Sequence, residues 1–207
     1  MQQKTSQDWP YLKKYENDNQ QILSPVSGEN RVVFMGDSIT EFWGRLMPEF
    51  FEGKPYINRG ISGQTTPQML VRFRADVIAL QPQTVVILAG ANDIAGNTGP
   101  ATLEMITNNL FSMIDLAQTH KIKVILCSVL PANMFPWKIG ENPSQKIISL
   151  NKLLKKHTEI HNIQYLDYYT SMVDEENGMN QLYTDDGVHP NRKGYELMAD
   201  LFNTNHQ

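Results

Sequence analysis

Five short apolar runs, each followed by a stretch of helical period, constrain this chain more than any other feature. Val85-Val86-Ile87-Leu88-Ala89 shows the type: apolar throughout and rich in β-branched residues, as a strand covered on both faces must be. Val32-Val33-Phe34-Met35, Tyr56-Ile57-Asn58, Val124 to Val129 and Ile163 to Leu166 are the others. Between them apolar residues recur at threes and fours: Met69, Phe73, Val77 and Leu80; Leu103, Ile106, Leu110 and Ile114; Ile147, Leu150 and Leu154. A last helix is expected from about Arg192 to Phe202, with Tyr195, Met198 and Phe202 inward. Strands alternating with helices predict a parallel sheet with right-handed crossovers and helices on both faces, a three-layer α/β/α domain.

A chain of 207 residues suits one domain, with residues 1–30 as a helix and connector laid on a body of residues 31–207. Asp8 and Pro10 mark the start of that helix, and Trp9, Leu12 and Tyr15 recur along it; Asn17 to Asn30 reads as connector. The net charge of −4 offers no footprint for nucleic acid, and no apolar run reaches the roughly 18 residues of a membrane span. With Cys127 alone, no internal disulfide can form. The polar stretch Gln2 to Gln7 has no apolar signal region. It fits a cytoplasmic start, or an exported chain whose signal has been removed. Oligomeric state is not legible.

In open α/β sheets, ligands bind beyond the carboxyl ends of the strands. The first strand ends in Gly36-Asp37-Ser38-Ile39-Thr40, which presents a hydroxyl at a helix start, among free N–H groups. A serine there needs a base, and His189 is the histidine with a carboxylate, Asp186, held three residues away across a turn. Asp186 can accept the Nδ1 proton in a hydrogen bond and leave Nε2 facing Ser38. An oxyanion hole is expected from the N–H groups of Ser38 and Gly60 and the side-chain amide of Asn92. Asp37, Arg59, Met134, Phe135 and Trp137 are candidates for touching substrate, the last three from a long loop at Pro131 to Pro143. His157 and His161 have a zinc-compatible spacing but lack a third ligand, and no metal site is expected. Neither a phosphate-binding loop nor a G-x-S-x-G elbow is present.

These blocks, Gly36-Asp37-Ser38-Ile39-Thr40, Gly60, Gly90-Ala91-Asn92-Asp93 and Asp186-Gly187-Val188-His189, resemble the SGNH (GDSL-like) hydrolases in order and spacing. Ile39 stands where the family name has Leu. The resemblance is to the branch with platelet-activating-factor acetylhydrolases and carbohydrate esterases. It implies a flavodoxin-like fold with a five-stranded parallel sheet, and ester hydrolysis through an acyl-serine without metal or cofactor. By similarity Ser38 is the nucleophile, His189 the base and then acid, and Asp186 the orienting group.

The expected activity is hydrolysis of short acyl esters, acetyl included, on a small molecule or a glycan. Arg59, Gln64 and Asn133 favour a hydroxylated substrate, with Trp137 as a platform for a sugar. A lysophospholipase or acyl-thioester hydrolase is the alternative within enzymes. A catalytically silent binding domain is the alternative outside them.

Overall fold

A computed structural model describes residues 8–138 and 140–205; the stretch at 2–7 lies outside them. Five parallel strands form one sheet: β1 (Val32–Gly36), β2 (Tyr56–Gly60), β3 (Thr84–Leu88), β4 (Lys123–Cys127) and β5 (Gln164–Leu166), in the order β2-β1-β3-β4-β5. This is the expected flavodoxin-like arrangement. Strand order reverses between β1 and β3, where Gly36 pairs with Leu88, and the crevice that ligands favour opens above that pair.

Alternation along each strand assigns the two cores. Val33, Met35, Val85, Ile87, Val124 and Leu126 face one way. They pack on α3 (Thr66–Asp76), α5 (Leu103–Thr119) and α6 (Ser144–His161) through Met69, Phe73, Ile106, Leu110, Ile147 and Leu150. Val32, Phe34, Val86, Leu88 and Ile125 face the other way, onto α2 (Ser38–Leu46) and the helix Arg192–Asn205 through Ile39, Trp43, Tyr195, Met198 and Phe202. Phe34 lies at its centre, edge-on to Trp43 and Phe50 at 5.6 Å. Among the described residues no helix is long and apolar enough to cross a membrane.

Two elements differ from expectation. The periodicity through Val77 and Leu80 is broken after Asp76, where Val77 leaves the helical region and a 3-10 turn, Ile78–Leu80, follows. The N-terminal helix does not run from Asp8. Tyr11 sits at φ 57°, which no right-handed helix accommodates, and Asp8 instead takes the N–H groups of Leu12 and Lys13 at 2.8 and 3.0 Å. A 3-10 turn, Leu12–Lys14, leads into α1 (Glu16–Gln21), inside the stretch read as connector. The segment still lies on the body: the Trp9 and Pro10 carbonyls accept from Gln68 and Gln64, and the Tyr15 hydroxyl donates to the Gly60 carbonyl.

Candidate active site

Gly36 ends β1, and Asp37 caps α2 by accepting the Ile39 N–H at 3.0 Å, so Ser38 becomes the first helical residue. Its N–H, at the helix start, has no intrahelical acceptor. The Ser38 Oγ is 2.9 Å from Nε2 of His189. The His189 Nδ1 is 2.7 Å from Oδ2 of Asp186. The turn that builds this pair is specified locally. Asp186 Oδ1 accepts the N–H groups of Val188 and His189 at 2.9 and 2.7 Å, with Gly187 at φ 84° between. Thr184 closes it, its hydroxyl donating to the His189 carbonyl at 2.8 Å. Partial burial pushes the Asp186 carboxyl up, but the bonds from His189 and the N–H groups outweigh it and hold the group below its usual value. An ionised Asp186 accepts a hydrogen bond from the Nδ1 N–H and so leaves the Nε2 lone pair toward the serine hydroxyl.

A cleft of about 270 Å³ opens over Ser38, lined by Phe42, Ser62, Gly63, Asn92, Asn97, Trp137 and His189. Phe42 lies one turn beyond Ser38 on α2, 5.2 Å from the His189 ring. Trp137 also lines it, 6.2 Å from the His189 ring, and Phe135 lies nearly parallel to Trp137 at 5.2 Å.

Of the sequence candidates, Ser38, Asp186 and His189 come together as described, and Asn92 and Trp137 line the cleft with Ser38 and His189. Gly60 does not join them. Its N–H donates to Asn58 Oδ1 at 2.9 Å, and its Cα faces the first turn of α2, where a Cβ would lie 2.6 Å from the Thr40 carbonyl carbon. This glycine lets helix and strand approach; it does not admit substrate. Gly63, at φ 75° in the following turn, is the glycine on the cleft wall.

Asp37 is likewise no substrate contact. It is buried, occupied by Ile39 and Asn92, and burial raises its pKa to about 6. Arg59 is buried away from the cleft, bonded to Asn19 and lying over the Tyr15 ring. Phe135 is buried against Trp137. Met134 lines a neighbouring cleft, with Asp174, Glu176 and Asp185, on the side of the turn at Asp186 and Gly187. Gln64, read as a polar contact, is buried between Pro10 and Arg72. Asn133 lies with Met134, not over Ser38.

Ser62, on the cleft wall, is held in place from α2. Glu41 accepts both the N–H and hydroxyl of Ser62, at 2.7 and 2.5 Å, and pairs with Lys14 and Arg45. Burial works against its charge, but the Ser62 and Lys14 bonds prevail and bring its pKa down to about 2. Asp93 takes the N–H of Thr66 and, at 2.5 Å, its hydroxyl, fixing the start of α3 to α4 (Ala91–Ala95). His157 lies face to face with Phe111 at 3.6 Å, and no group of three or more metal-ligating side chains occurs among the described residues.

The model of the GDSL-like lipase/acylhydrolase family matches residues 34–197. A crystal structure of a GDSL-like lipase from Bacteroides thetaiotaomicron is 47% identical, covers 94% of this chain and 96% of that one, and superposes with a TM-score of 0.92. A Bacteroides fragilis structure, of a protein assigned provisionally as an acylhydrolase, is 46% identical over 96% of this chain and 97% of that one, with a TM-score of 0.94. An acetylxylan esterase of Xylanibacter ruminicola is 27% identical over 87% of this chain, which spans 44% of that esterase's own length.

Proposed function

The chain belongs to the GDSL-like lipase/acylhydrolase family, and we propose that within it the protein is a serine esterase for short acyl groups, acetyl above all, carried on hydroxylated substrates such as glycans. The relay Ser38–His189–Asp186, at 2.9 and 2.7 Å, carries the reading. As His189 Nε2 takes the hydroxyl proton, the Ser38 Oγ adds to the ester carbonyl, whose oxygen becomes an alkoxide. Collapse breaks the bond to the alcohol, and the histidinium returns the proton to it. Water, deprotonated by the same histidine, then releases the acid from Ser38.

The alkoxide is received by the N–H groups of Ser38 and Gly63 and by the amide of Asn92. The Asn92 N–H bonds rest on Asp37 Oδ2 at 3.2 Å and the Gln64 carbonyl at 3.1 Å. Receiving the alkoxide moves one of these two N–H groups to the developing negative charge, where its bond becomes charge-assisted.

The cleft of about 270 Å³ over Ser38 accommodates an acetyl group with part of the alcohol. Trp137, half exposed and stacked on Phe135, presents a flat face on which a sugar ring can stack. The similarity to an acetylxylan esterase points the same way.

Rates on p-nitrophenyl acetate, butyrate, octanoate and palmitate test the acyl length. Acetate is expected to lead octanoate by at least about tenfold in kcat/KM, the low end of what a hydrophobic pocket discriminates over a single methylene. A preference for octanoate or longer overturns the reading. Trp137→Ala is expected to raise KM for an acetylated xylo-oligosaccharide and leave p-nitrophenyl acetate unchanged.

A further inference from the structure

Asn97 follows α4 and lies on the cleft wall, yet neither of its amide N–H bonds is free for substrate. One donates to Asn92 Oδ1 at 2.8 Å and the other to the Gly63 carbonyl at 3.2 Å. We propose that Asn97 is the positioning residue of the oxyanion hole, setting the direction of both the Asn92 amide and the Gly63 peptide with one side chain. The inference rests on the serine-esterase reading above.

Donor and acceptor types force the orientation of both amides. A backbone carbonyl only accepts, so the Gly63 carbonyl compels the Asn97 side chain to turn its nitrogen inward. That nitrogen then compels Asn92 to present its oxygen, which leaves the Asn92 nitrogen on the side of Asp37 and Gln64. Reversing Asn92 would set nitrogen against nitrogen, and reversing Asn97 would set oxygen against the Gly63 carbonyl. Asn97 also donates its own N–H to the Asn92 carbonyl at 3.0 Å, so the pair is bonded twice. At Gly63 the tether has a second effect. With φ at 75° and no side chain to pack, the residue is held chiefly by what its carbonyl bonds.

The two loops are joined independently of Asn97. Thr65 and Thr98 hydroxyls meet at 2.9 Å, and Thr66 is bonded to Asp93. Removing the Asn97 amide should therefore loosen donor direction rather than separate the loops.

The test compares Asn97→Ala and the isosteric, acceptor-only Asn97→Asp on p-nitrophenyl acetate, each alone and Asn97→Ala also with Asn92→Ala. Both single variants are expected to lose about 10- to 100-fold in kcat with KM within about twofold, part of what a whole donor is worth. In the Asn92→Ala background, Asn97→Ala is expected to cost no more than about threefold, the share passing through Gly63. If the alanine variant does not fold, the aspartate variant decides. A kcat within about twofold of the parent in a folded variant, or a loss undiminished in the Asn92→Ala background, overturns the proposal. Ser38→Ala separates the two levels. Parental turnover in that variant refutes the esterase reading, whereas an inactive Ser38→Ala beside fully active Asn97 variants refutes the positioning role alone.

Discussion

Gly60→Ala is the sharpest perturbation of the packing that holds Ser38. The new Cβ would lie 2.6 Å from the Thr40 carbonyl carbon and 2.7 Å from the Glu41 Cα, closer still to the Glu41 nitrogen. All three are backbone atoms of α2, so no rotamer change relieves the contact, and the Glu41 N–H is bonded to the Asp37 carbonyl at 2.9 Å. The helix must retreat by about an ångström from a contact at normal van der Waals distance. Overpacking of this kind costs about 1–3 kcal/mol, and rigid partners place this site at about 3. For a chain of this size that is a fall of about 6–12 °C in Tm. The same retreat carries Ser38 away from Nε2, and a misplacement of about 1 Å costs on the order of 100-fold in rate. Gly63→Ala is the counterpart: its Cβ meets only the Asn97 side-chain nitrogen, at 3.9 Å. Left-handed strain of about 1–2 kcal/mol should lower Tm by roughly 2–8 °C, and the N–H is retained. Calorimetric melting and p-nitrophenyl acetate turnover read both. A Gly60→Ala protein that melts within about 2 °C of the parent and turns over within about threefold refutes the close approach of strand and helix.

Further outcomes concern the buried charges. Arg72 is fully buried, bonded to Asp76, Gln64 and the carbonyls of Gly36 and Arg59; Arg72→Met should cost about 3–5 kcal/mol, seen as a Tm lower by roughly 6–20 °C. Asp37, at about 6 in the fold against an ordinary 3.8, holds its proton more tightly folded than unfolded. Its contribution is therefore full below its unfolded pKa and is lost as pH rises through about 6. Asp37→Asn, which keeps a capping oxygen, should flatten the decline of Tm between about pH 4 and 6, and an unchanged slope counts against a buried carboxyl there. Asn92→Ala should lower kcat by about 100- to 1,000-fold, as loss of one oxyanion donor does, and a change under about threefold removes it from the hole.

What was legible in the sequence was local. The Asp186-to-His189 turn encloses its own hydrogen bonds, and Ser38 comes just after a buried strand, so each was legible from its sequence neighbours and the rule for parallel sheets set both at one edge. Arg59 and Asp37 were misread for a shared reason. Charged residues at strand ends are expected to meet solvent or substrate, and here Asn19, Ile39 and Asn92 satisfy them internally. Gly60 drew the oxyanion role because it ends a strand. The signal for Gly63 was the turn between Ile61 and the capped start of α3, where Thr65 and Gln68 form a capping box. Phe42, four residues after Ser38, was readable as the same face of α2. Asn97 was not, because its importance lies in contacts with Gly63 and Asn92 across two loops.

In the proposed reaction Ser38 carries the acyl group between the two halves. Peptide mass spectrometry of the protein quenched in acid during turnover of p-nitrophenyl acetate tests this directly. One acetyl group is expected on the peptide containing Ser38 and none in Ser38→Ala, which is expected to be inactive; acetylation elsewhere, with Ser38→Ala turning over at the parental rate, contradicts an acyl-serine route.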